Sequence, residues 1–76
     1  MIELIETIVK PLVDHPDDVT VAMDEQANKI VFTLSVNKKD MGKVIGKQGR
    51  VAKAIRTVVY TAASKNDKKV YLEIRD

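Results

Sequence analysis

The chain has no cysteine and no tryptophan. Without thiols, neither a disulfide framework nor a thiolate metal site can form. Its one histidine, His15, stands before Pro16 among Asp14, Asp17 and Asp18. A lone imidazole in an acidic turn reads as a solvated residue, so no catalytic or metal role is expected and no cofactor is required. The only aromatics are Phe32, Tyr60 and Tyr71. Phe32 falls within an alternating apolar run and belongs to a core, so a sheet that stacks bases on several exposed rings is poorly supported. No apolar run approaches the ~20 residues of a membrane span, and Glu3 and Glu6 interrupt any secretion-signal pattern. No glycine pair has the P-loop spacing followed by Lys-Ser/Thr. The expectation is a soluble cytoplasmic protein, not an enzyme, with one thin-cored domain over residues 1–76.

Glycine is scarce too, and its placement is informative. All three glycines, Gly42, Gly46 and Gly49, lie in the stretch "GKVIGKQGRVAKAIR" over residues 42–56. That stretch also carries Lys43, Lys47, Arg50, Lys53 and Arg56 and no acid. The net charge of +2 hides this asymmetry: residues 38–56 hold seven cations and one acid, and the remainder six cations and ten acids. A concentration of positive charge of this kind points to a polyanionic partner, although a solvated helix face has the same composition.

Hydrophobic spacing supplies the elements. Ile2, Ile5, Val9, Leu12 and Val13 recur at helical intervals over residues 2–13, with Pro11 expected to kink the helix or start a fresh last turn. "DHPDD" reads as a turn. Val19, Val21 and Met23, then Ile30, Phe32, Leu34 and Val36, alternate as two strands, and residues 24–29 could close a hairpin between them. Asp40 is placed to N-cap a short helix over residues 41–45. A second helix is expected from about Arg50 to Ser64, with Val51, Ala52, Ala54, Ile55, Val58, Val59, Ala62 and Ala63 filling half its circumference. Val70, Leu72 and Ile74 form a last strand after the loop "SKNDKK". The order α-β-β-α-α-β predicts an α+β, two-layer domain, its three-stranded sheet covered on one face by helices. The expected core is Ile5, Val9, Val21, Phe32, Leu34, Ile45, Ile55, Val59 and Leu72.

Between the two middle helices lies Gly46-Lys47-Gln48-Gly49. Two glycines three apart let the chain reverse with positive φ and admit a close backbone approach. The loop opens onto a helix N-terminus, where free N–H groups and the dipole favour an anion. A phosphate backbone suits all of these features. A tight helix–turn–helix corner that needs glycine only for sterics suits the loop alone equally well. Gly42 falls inside the first short helix, where close packing or the approach of a ligand could require it.

"VIGKQGRVAKAI" resembles the signature of the KH domain, an RNA-binding module built around a GXXG loop. Val44 and Ile45 take the apolar pair before the first glycine, and Ile55 the later apolar helix position. The added helix and strand on the N-terminal side resemble the type II arrangement. "KPLV", "DMGKVIGKQGR" and "AKAIRTVV" in so short a chain are similar to the KhpA family of small bacterial KH proteins, and the resemblance covers the whole chain. It implies a type II KH fold and a groove for single-stranded RNA, whose sugar-phosphate backbone is clamped by Gly46, Lys47, Gln48 and Gly49. Lys43, Arg50 and Lys53 would assist electrostatically, and Met41, Val44 and Ile45 would line the apolar groove. Lys38, Lys39 and Arg56 fit a solvated face as well as an RNA contact, and Lys65, Lys68 and Lys69 read as solvated. One departure is Ala52, where many KH domains have a branched apolar residue; base preferences therefore do not carry over. Some KH domains take single-stranded DNA, so that ligand stays open.

The resemblance further implies an RNA chaperone or post-transcriptional regulator linked to cell division and elongation. It also implies self-association, or pairing with a second, KhpB-like KH protein, which would raise the avidity of a small groove. The candidate contact surface is the second helix, through Val58, Tyr60 and Thr61.

Overall fold

The structure is a computed structural model that describes residues 1–64 and 68–76. Helix α1 covers Ile2–Val9, and Pro11 sits in the first turn of a separate 3-10 turn, Lys10–Leu12. The proline has no N–H to give, so the α-helix stops and a tighter turn carries the chain on. Pro16 starts a second such turn, Pro16–Asp18, in the acidic segment. Strands β1 (Thr20–Glu25) and β2 (Lys29–Ser35) pair antiparallel, with Val21 opposite Leu34 and Met23 opposite Phe32. Helices α2 (Met41–Ile45) and α3 (Arg50–Ala62) follow, and strand β3 (Lys69–Arg75) returns to pair parallel with β2. The sheet order is β1-β2-β3. A parallel return cannot be made by a tight turn. Here α2, the glycine corner and α3 provide the crossover.

The α+β expectation holds, with element limits moved by only a few residues. Helix α1 packs on β1, α3 on β3, and both α1 and α2 pack against α3. The core is Ile5, Val9, Val19, Phe32, Leu34, Val36, Val44, Ile55, Val59 and Leu72. Two expected members differ. Val21 is only partly buried, and Ile45 is 38 % exposed while its neighbour Val44 is fully buried. The inward face of α2 runs through Asp40 and Val44, four residues apart and 1 % and 0 % exposed. Positions i and i+4 share a helix face, which turns Ile45 outward.

Asp40 also departs from its expected part. It occupies the residue before α2, but its carboxylate makes no capping bond there. The capping side chain is Asn37, whose Oδ1 accepts from the Lys39 N–H at 2.8 Å at the head of a 3-10 turn, Lys38–Asp40. The Asp40 carboxylate instead accepts the backbone N–H groups of Asp14 at 3.2 Å and His15 at 3.0 Å. A buried carboxylate needs such donors, and two peptide N–H groups supply them from across the fold.

Candidate nucleic-acid interface

The corner between α2 and α3 is built from left-handed backbone. The Gly46 N–H still bonds to the Gly42 carbonyl at 2.9 Å, closing α2. Gly46 itself has φ 73° and ψ 179°, a conformation essentially restricted to glycine. A Cβ there would lie 2.4 Å from Val51 Cγ2 and 3.1 Å from the Val51 nitrogen. Gly49, at φ 73° and ψ 15°, precedes the first turn of α3 with open space around it. The positive φ expected of both glycines is therefore present. Gln48 adds a third left-handed residue at φ 57° and ψ 26°. For a residue with a side chain this costs about 1–2 kcal/mol. Lys47 and Gln48 are both exposed.

The expected cations divide into two groups. Lys47, Arg50 and Lys53 are exposed and have no carboxylate partner among the described residues. Lys43 does have one: its ammonium donates to the Asp14 carboxylate, 29 residues away. That hydrogen bond and the charge of Lys43 together hold the Asp14 carboxyl below its ordinary range. Lys38 and Lys39 are exposed on the turn before α2. Arg56 is partly buried, and its Nε donates to the Leu72 carbonyl at 3.3 Å. Lys69 and Arg75 use their backbone polar groups toward the β2 side, so by alternation Leu72 faces the open edge of β3. Arg56 thus covers a strand edge, a structural use that its sequence position did not reveal. Lys68 pairs with Glu25 at 2.8 Å, Lys69 opens β3 opposite Lys29, and Lys65 lies outside the described residues.

Of the apolar groove candidates, Val44 is corrected outright: with no exposed surface it cannot touch a ligand. Met41 is partly buried against the core, and Ile45 presents apolar surface directly beside Gly46. Ala52 is 4 % exposed and belongs to the interior, whereas Val51, one residue earlier, fits against Gly46.

An apolar concavity of about 300 Å³ lies between α1 with its following turn and α3, lined by Ile8, Leu12, Arg50, Val51, Ala54, Ile55 and Val58. Val58 is 44 % and Leu12 40 % exposed. Tyr60 and Thr61 are exposed but do not line it. The structure therefore joins Val58 to Leu12 and Ile8 rather than to the two residues with which the sequence grouped it. Helical spacing signals both apolar faces, but nothing in it brings α1 to α3.

A family model described as "KhpA/KhpB, KH domain" matches residues 2–74. The chain is 64% identical over 74 residues to the RNA-binding protein KhpA of Listeria monocytogenes, covering 97% of each. It is 60% identical to the RNA-binding protein KhpA of Bacillus subtilis, covering 97% of this chain and 91% of that one. It is 58% identical to the RNA-binding protein KhpA of Clostridium perfringens, covering 97% and 99%. No solved structure gives a significant match.

Proposed function

The chain belongs to the KH-domain family of KhpA and KhpB, and from that membership we propose that it binds single-stranded RNA at the corner between α2 and α3. This family is not known for enzymes, and the reading is one of binding, not catalysis. The observation that carries it is the conjunction at residues 46–50. Left-handed backbone at Gly46, Gln48 and Gly49 opens directly onto α3, beside the exposed Lys47, Arg50 and Lys53. Phosphates would be held by Lys47, by the loop and helix N–H groups, and by Arg50 and Lys53. Gly46 lets the corner close on Val51, and Gly49, with open space where a Cβ would be, admits the sugar-phosphate backbone closely. Ile45 with Met41 offers apolar surface to a base. Lys43 stands at the margin.

Fluorescence anisotropy with a labelled single-stranded RNA of a dozen nucleotides tests this. Three or four phosphate contacts predict a log–log salt slope of roughly −2 to −3. Lys47→Asp with Gln48→Asp should leave the circular dichroism spectrum intact and abolish binding. Undiminished affinity in that folded double variant refutes the clamp, and a matched DNA oligonucleotide binding as tightly moves the ligand class to single strands in general.

A second reading has its own support. The concavity at Val58, Leu12 and Ile8 leaves apolar surface uncovered on α1 and α3. Association there, with a second copy or a KhpB-like KH protein, would hide it and place two RNA sites in one particle. Light scattering at tens of micromolar tests the homodimer: Val58→Asp should yield a monomer. The wider role is proposed from family membership: an RNA chaperone or post-transcriptional regulator in the cytoplasm, acting on division and elongation. No helix among the described residues is long and apolar enough to cross a membrane.

A further inference from the structure

Among the cations around the corner, Lys43 alone is matched by a carboxylate among the described residues, and the match is built into the fold rather than left to chance. Asp14 belongs to the acidic turn that also holds Asp17 and Asp18. Two anchors fasten this turn to the segment leading into α2. The backbone N–H groups of Asp14 and His15 donate to the buried carboxylate of Asp40. The Asp18 carboxylate accepts from Asn37 Nδ2 at 2.8 Å. Asp40 is the residue before α2 and stands three positions before Lys43, about one helical turn away. The buried clamp therefore sets the position of Asp14 beside Lys43.

We propose that Asp14 sets affinity and strand path at the RNA site, as a carboxylate fixed by Asp40 that occupies Lys43 in place of a phosphate. This rests on the RNA-binding reading above. A phosphate reaching Lys43 has to displace a competitor already tethered at high effective concentration. The strand is therefore held by Lys47, Arg50 and Lys53 and runs clear of residues 14–18. Because the pair is exposed to water, the competition is soft. It lowers affinity without blocking the site. The downward shift of the Asp14 carboxyl has the same origin.

The test is RNA binding across a salt series for the wild type, Asp14→Asn, Asp17→Asn, Lys43→Gln and Asp14→Asn with Lys43→Gln. Asp14→Asn should tighten binding about 3–5-fold. It should also steepen the log–log salt slope by about 0.7, one further phosphate. Asp17→Asn makes the same charge change in the same turn without touching Lys43, and should alter affinity by less than about twofold. Adding Lys43→Gln to Asp14→Asn should erase both the gain and the steeper slope. Equal gains from Asp14→Asn and Asp17→Asn, or a gain that survives Lys43→Gln, overturn the proposal. So does wild-type binding that Asp14→Asn leaves unchanged. Should neither wild type nor Asp14→Asn bind RNA while both are folded, the RNA-binding reading itself fails, and this proposal with it.

Discussion

Replacing Gly46 by alanine and Gly49 by alanine should have very different costs, although the two glycines share a φ of 73°. At Gly49 the backbone is ordinary left-handed helix and a Cβ would meet nothing within 4 Å. The cost is then the conformational penalty alone, about 1 kcal/mol. At Gly46 the ψ of 179° puts alanine in a region essentially closed to it, about 1–3 kcal/mol. Its Cβ would also lie 2.4 Å from Val51 Cγ2 and 2.9 Å from Val51 Cβ. Turning the Val51 side chain moves Cγ2 but leaves its Cβ and backbone nitrogen 2.9 and 3.1 Å away, so a rotamer change alone does not relieve the overlap. Such overpacking adds about 1–3 kcal/mol, for a sum of about 2–6 kcal/mol. A domain of this length has about 4–11 kcal/mol in all, so Gly46→Ala approaches unfolding while Gly49→Ala does not. Urea denaturation followed by circular dichroism measures both. With a slope of about 1 kcal/mol/M the midpoints should fall by about 1 M for Gly49→Ala and by about 2 M or more for Gly46→Ala. Val51→Ala should be less damaging in the Gly46→Ala background than in the wild type, a favourable coupling from relieved overlap. Equal losses from the two glycine variants, or no coupling with Val51, would refute the account of the corner.

Asp40→Ala should cost about 3 kcal/mol in urea denaturation, since two N–H groups lose a charged acceptor in the interior, and Asp40→Asn, which keeps one acceptor oxygen, about half as much. Gly42 is helical, exposed and has open space where a Cβ would go. Gly42→Ala should therefore stabilise by about 0.5–1 kcal/mol. It should weaken RNA binding if the strand passes close over α2, as expected of a glycine that no internal contact requires; unchanged affinity refutes that passage. The Asp14 carboxyl should titrate below its ordinary value of 3.8 by NMR, and Lys43→Gln should raise it. Because its folded value is depressed, the stabilisation from this pair is present above the unfolded value and lost as the pH falls through the folded one. Lys43→Gln should accordingly be less stable than the wild type above about pH 4, and the difference should vanish as the pH falls further.

Long, strongly patterned segments were legible from the chain. The alternation in β2 and the half-apolar circumference of α3 placed Phe32, Leu34, Ile55 and Val59 correctly in the core. The glycine spacing located the corner and its positive φ angles. What escaped has physical reasons. Helix α2 has five residues, too few for periodicity to separate Val44 from Ile45. Glutamine carries no signal for left-handed backbone, so Gln48 looked like a spacer. The partners of Asp40 and Lys43 lie 25–29 residues away. They are settled by how the acidic turn docks, which no local pattern encodes. Arg56 belonged by sequence to the cationic face of α3, and only the parallel placement of β3 shows that it turns to a strand edge.

The parallel ladder matches Lys29 with Lys69 and Ser35 with Arg75, so each pair spans 40 positions along the chain. Bringing such distant partners together costs about 3 kcal/mol of chain entropy beyond a constant. Nothing is gained until β3 docks. Helices α2 and α3 shorten that search only once they have folded back on each other at residues 46–49. The corner is thus a step on the route to the sheet as well as a surface. Lesions there should retard refolding more than they hasten unfolding, the mark of an element already formed at the barrier.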